Sequence, residues 1–157
     1  MRLLISHLLV VIAITCAAVP VLAQQDEAGI VTAVNPRAIS QAPHGPIKQL
    51  FIGHHVVPEE KLTTLNKGRV QLLFADQSAL TMGENTELAI EGFVFDAKTG
   101  AGQITATIAA GLVHYVGSKM NQKGSAEFLT PSGTITIAGD GVASIRVQRK
   151  SPSGANQ

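Results

Sequence analysis

Residues 68–96 read GRVQLLFADQSALTMGENTELAIEGFVFD, with apolar side chains at alternate positions and short polar breaks between the runs. Val70, Leu72 and Phe74 fall on one face of a pleated strand, Leu80 and Met82 begin a second, and Leu88 and Ile90 with Phe93 and Phe95 follow. Asp76-Gln77-Ser78 and Gly83-Glu84-Asn85 lie between them. Glycine accepts positive φ, and Asp, Ser and Asn side chains bond nearby backbone, so both triplets read as turns. The stretch is a meander built for packing rather than a catalytic loop.

Outward from this meander the same alternation continues. Gly29 to Val34 has the β-branched content of a first strand before Asn35-Pro36 stops it, and Ser40 to Pro46 is a loop. Leu50 to Val57 resumes with strand character until Pro58-Glu59-Glu60. A helix has its only foothold at Glu59 to Leu65, as a single turn. Gln103 to Ala109 alternates Ile104, Ala106 and Ile108 against Thr105 and Thr107, and Gly111 breaks the run before Leu112 to Val116. Ser118 to Ser125 is a polar loop, the candidate for mobility. Glu127 to Thr130, Thr134 to Ala138 and Val142 to Val147 are the last strands. Turn signals about every eight to twelve residues indicate an all-β sandwich, barrel or solenoid.

Met1 to Ala23 has a basic start at Arg2, an apolar run from Leu3 to Val19 and a Val21-Leu22-Ala23 ending, the pattern of a secretory signal cleaved after Ala23. Left uncleaved, that run approaches the roughly 18 to 20 residues of a bilayer span and would anchor the chain in a membrane. Ala13 and Thr15 before Cys16 do not fit a lipid-attachment signal. Cleavage removes Cys16, the sole cysteine, so the periplasmic or secreted chain would stand on packing alone. The expected organisation is a signal at 1–23, a strand and loop at 24–46, one all-β domain at 47–147 and a disordered Ser-, Pro- and Gly-rich tail at 148–157.

The sequence has 12 Lys plus Arg and 11 Asp plus Glu, and the basic count falls to 11 once Arg2 leaves with the signal. No global field therefore points to nucleic acid. Aromatics are 4% with no Trp, which starves the stacking platforms that hold bases or sugars.

Catalytic chemistry is poorly supplied. His54-His55 with Glu59 and Glu60 is the one cluster of metal-ligand types, yet adjacent strand residues point to opposite faces and would separate the imidazoles. His114 beside Tyr115 reads as a hydrogen-bonded strand histidine. Asp76, Asp96 and Asp140 sit at turns, where capping the backbone accounts for them. No nucleophile elbow, calcium loop or phosphate cradle is present in the sequence, so neither catalytic residues, metal nor cofactor is expected.

Several motifs in order, FADQS, LTMGENTEL, FVFDAKTGAG, AAGLVHYVGSK and LTPSGTITIAGDG, resemble the FecR domain family over Ile47 to Val147, and Leu50-Phe51-Ile52-Gly53 matches the step that opens it. The family's Gly-Ile-Arg-Gly-Thr-like turn is replaced by Ile137-Ala138-Gly139-Asp140-Gly141, so no role passes to that missing arginine. The resemblance implies two stacked sheets wound like a short solenoid, and a periplasmic module that relays a signal from an outer-membrane receptor toward a sigma factor in iron uptake. Regulators of that layout place a sigma-binding segment before a membrane helix, where this sequence has Met1 and Arg2, and direct sigma-factor control is not expected.

The expectation is thus an exported, non-catalytic module that binds another envelope or outer-membrane protein by a sheet edge or exposed turns, with Phe93, Tyr115 and the Gly139, Asp140, Gly141 turn as contact positions. The alternative is a binder of cell-wall polymer or carbohydrate, with Arg146, Arg149 and Lys150 supplying the attraction.

Overall fold

The computed structural model describes residues 27–35, 37–119 and 123–149. The expected signal at 1–23 and nearly all of the expected 148–157 tail lie outside them.

Among the described residues, alternating apolar side chains form twelve strands: β1 (Gly29–Asn35), β2 (Ala38–Gln41), β3 (Ile47–Gln49), β4 (His55–Val56), β5 (Glu60–Thr64), β6 (Arg69–Phe74), β7 (Ala79–Met82), β8 (Glu87–Asp96), β9 (Ala101–Val116), β10 (Ser125–Thr130), β11 (Gly133–Ala138) and β12 (Val142–Val147). They build two sheets. The first runs β4-β1-β6-β7-β9-β12. The second runs β3-β2-β5-β8-β9-β10-β11. The sixteen-residue β9 belongs to both, pairing with β8 through residue 110 and with β7 from residue 113.

The architecture is all-β as expected, a two-layer sandwich whose chain winds from sheet to sheet. After its second half joins the first sheet, β9 is followed by a return to β10, which lies parallel to β9's own first half. Every other pairing is antiparallel.

One core fills the space between the sheets. Leu72, Leu80, Met82, Val113 and Tyr115 come from the first sheet; Leu62, Leu88, Ile90, Ile104, Ile108 and Phe128 come from the second. Cross-strand register aligns Val31, Leu72, Leu80 and Tyr115 in one inward row. Burying each large apolar side chain contributes about 1.5–3 kcal/mol before conformational entropy is counted.

Two local devices keep the pattern facing inward. A bulge between Ile90 and Gly92 inserts one residue into β8, which lets even-numbered Leu88 and Ile90 and odd-numbered Phe93 turn toward the same core. At Gly111, φ is +103°, and a Cβ there would collide with the Cα, Cβ and Oγ1 of Thr86. Where β9 leaves one sheet for the other, its ladder is interrupted. Thr86 Oγ1 accepts the Leu112 N–H at 3.0 Å, and Thr64 Oγ1 accepts the Thr86 N–H at 2.9 Å while donating to the Gly83 carbonyl at 2.5 Å. These buried hydroxyls satisfy backbone groups that would otherwise be stranded.

Two expectations fail. Glu59 to Leu65 forms no helical turn; Glu60, Leu62 and Thr64 alternate inward as β5, because strand period and pairing with β2 and β8 outweigh local propensity. Leu50 to Val57 is not a full strand either. Leu50 is anchored in the core, Gly53 turns the chain with φ +89°, and pairing is confined to His55–Val56.

Candidate functional site

The two imidazoles of the His54-His55 pair separate, as strand alternation requires. His54 Nε2 lies 2.8 Å from Glu60 Oε1, and the second oxygen of that buried carboxylate accepts the Val57 N–H at 3.1 Å. His55 Nδ1 meets Glu27 Oε2 at 2.7 Å on the surface. Each histidine thus has its own carboxylate, and Glu60 serves as a buried clamp for the turn that carries exposed Phe51 and Ile52. Among the described residues no group of three or more His, Cys, Asp or Glu gathers around a common point. His114 Nδ1 bonds Ser144 Oγ at 2.8 Å on the outer face.

Asp76 and Asp96 cap turns. Asp76 Oδ1 accepts both the N–H and the hydroxyl of Ser78, at 2.9 and 2.6 Å. Asp96 accepts the Lys98 N–H at 2.8 Å and the Thr99 hydroxyl at 3.0 Å, and these bonds hold its carboxyl below the usual range.

The contact positions expected from sequence divide. Tyr115 is not on the surface: it is 1% exposed, edge-on to Phe128 with ring centroids 5.3 Å apart. It faces inward because its neighbours His114 and Val116 take the outer face. Phe93 is half-buried and stacks on Phe74 at 5.5 Å, tying the two sheets together. Gly139, Asp140 and Gly141 join β11 to β12 in a docked turn. The Gly139 N–H donates to the Gly124 carbonyl and the Gly117 N–H to the Gly141 carbonyl, leaving the exposed Asp140 as its outward group.

Burial pushes the Tyr115 phenol above its ordinary value; a hydrogen bond with Ser78 opposes that, and the Asp76 charge adds to it. A phenol whose folded pKa is raised retains its proton longer in the native state. The stability this confers is intact below the unfolded value of about 10 and is lost as pH climbs through the folded value. Tyr115 is the only tyrosine and there is no tryptophan, so phenolate absorbance reports this one ring. We expect it to ionise above pH 10 in native protein and near 10 in urea; coincident titrations would place the ring in water.

The free edges of the sandwich are unequal. β3 is three residues long and contains Lys48, β4 has two residues and precedes Pro58, and β12 carries Arg146. Shortness, charge and proline are the ordinary protections of an edge. β11, GTITIA, has six residues and none of these, and among the described residues it pairs with β10 alone. Thr134, Ile135 and Thr136 are exposed along it.

Two open clefts flank the Gly111 crossing and share Glu84 and Leu112. One, of about 770 Å³, includes Glu87, Arg146 and Arg149. The other, of about 1000 Å³, includes Lys67, Arg69, Gln71 and Thr81.

A winding two-sheet domain with the motif order described above is matched by the family model "FecR protein" over residues 60–154. The chain belongs to the FecR family. The matched span begins at β5, so β1 to β4 precede it. No curated protein and no solved structure matches the chain. Family membership supports a signal-sensing regulatory module in general terms.

Sequence reading missed the unguarded character of β11 and the clefts at the crossing. The absence of charge in GTITIA was visible, but not that the strand would be an edge.

Proposed function

We propose that this FecR-family chain is an exported, non-catalytic module of the periplasm or cell envelope that receives its signal by pairing β11 with a strand of an envelope protein. Regulation of iron uptake is the process such a partner would serve. One observation carries the reading: among the described residues, β11 alone of the four free edges is both long and unprotected. Its unpaired N–H and C=O groups offer a partner a ladder, and the alternation of Thr134 and Thr136 with Ile135 and Ile137 gives that ladder a polar and an apolar side.

The test is capture from envelope extract by the purified chain and by Thr136→Lys. Thr136 is exposed and opposite Glu127, so a lysine there is tolerated by the fold while guarding the edge. A protein partner captured by the parent chain should be retained about tenfold less by the variant, a loss of about 1.4 kcal/mol. Equal capture by both, or capture of glycan without any protein, would refute the reading.

A further inference from the structure

We propose that the outer face of the first sheet binds an anionic polysaccharide, with Arg69 and Arg146 as its two anchoring groups. Register brings these distant residues into one outward row. Val70 pairs with Met82, which places Arg69 beside Gly83; the Gly83 N–H donates to the Leu112 carbonyl at 2.8 Å; and Leu112 pairs with Arg146. The row reads Arg69, Gly83, Leu112, Arg146 across β6, the end of β7, β9 and β12. Three strand spacings put the arginine backbones about 14 Å apart.

Gly83 carries no side chain, and Leu112 lies against it, with its Cβ and Cδ2 3.3 and 3.5 Å from where a Cβ would stand, so Leu112 is the one side chain between the two arginines. Arg69 also lines the cleft of about 1000 Å³, together with Gln71 and Thr81. The next outward row is polar throughout: Gln71, Thr81, His114 and Ser144 are aligned by register. An extended ligand lying on this face meets a guanidinium at each side and amide, hydroxyl and imidazole groups along the way.

The electrostatics select the ligand class. Of the nearby carboxylates, Glu87 is paired with Lys61 and Arg149, while Glu84 accepts the backbone N–H of Lys67 at 2.9 Å and keeps its charge at the edge the two clefts share. Arg69 and Arg146 have no carboxylate within 4 Å among the described residues. A planar guanidinium suits carboxylate or phosphate groups. The lone tyrosine is buried and no aromatic stands on this face, so bases and neutral sugars lack a stacking platform. A membrane would want a continuous apolar patch next to the arginines, whose row holds a single apolar side chain, Leu112. Instead the apolar row of Leu73, Ala79, Val116 and Val142 lies at the opposite end of the face, beyond the polar row and the inward rows that alternate with it. Hydroxyl-rich chains with regularly spaced anions fit the polar row and the basic pair together.

The experiment titrates the purified chain with polygalacturonate, a phosphodiester-linked glycan, neutral dextran and phosphatidylglycerol vesicles. Binding to either anionic glycan that weakens with added salt is expected, and which one binds identifies carboxylate or phosphate as the charge. Arg69→Gln and Arg146→Gln should each weaken it about fivefold and the double variant tenfold or more, while Lys98→Gln, in the β8–β9 turn, leaves it unchanged. All three positions are exposed, and unchanged thermal midpoints will show that the variants are folded. The proposal is overturned by no binding to either anionic glycan, by equal binding to dextran, by binding to vesicles alone, or by a double variant no weaker than Lys98→Gln. It is independent of β11, since Thr136→Lys leaves this face untouched.

Discussion

Gly111→Val should lower the stability of the domain by at least about 3 kcal/mol, and unfold it where the parent's margin is small. Two penalties coincide at this position. The backbone has φ +103°, a region β-branched residues scarcely enter, and any Cβ would occupy the space of Thr86. Thr86 cannot retreat, because its own N–H and hydroxyl are committed to Thr64 and to the chain at Leu112. Pushing it aside strands those backbone groups in a buried place, where each unmade bond costs about 1–3 kcal/mol. Gly92→Ala is the control: it lies in β8, a Cβ meets nothing within 4 Å, and urea unfolding should shift by less than about 1 kcal/mol. Equal shifts for the two would mean that β9 does not cross between sheets at Gly111.

That crossing explains what was legible in the sequence and what was not. Alternation alone identified the inward residues of β6, β7 and the first half of β9, since a strand with one wet face must repeat every two residues. Leu88 and Ile90 with Phe93 and Phe95 read as one run although their parity changes, a mismatch that the β8 bulge resolves, and Phe93, expected as a contact position, is half-buried against the core. At Gly111 the pattern showed only a break. A glycine ending a strand and a glycine passing a strand between sheets look alike until the partners β8 and β7 are known. Tyr115, expected as a contact position, lies inside, where Ser78 and Asp76 give its hydroxyl company. Long-range order was silent altogether. Arg69 and Arg146 become neighbours in a row only because β7 and β9 lie between their strands, and no local pattern encodes strand order.

The β10 register is the most exposed of these long-range inferences, since it rests on a parallel pairing to β9. Phe128→Ala tests it with an expected loss of about 3–5 kcal/mol. The ring is fully buried, aligned with Ala106 on β9, and meets Tyr115 from the opposite sheet, so truncation opens a cavity at the centre of the sandwich. Leu129→Ala, one residue on, removes a side chain from the outer face and should cost less than about 1 kcal/mol. A shift of pairing by one residue would exchange the two outcomes, because every side chain of the strand would change faces. Denaturant midpoints of the two variants therefore decide the register directly. A second readout accompanies them: with Phe128 gone, water reaches Tyr115, and its ionisation should move back toward the ordinary phenol value, whereas Leu129→Ala leaves it raised.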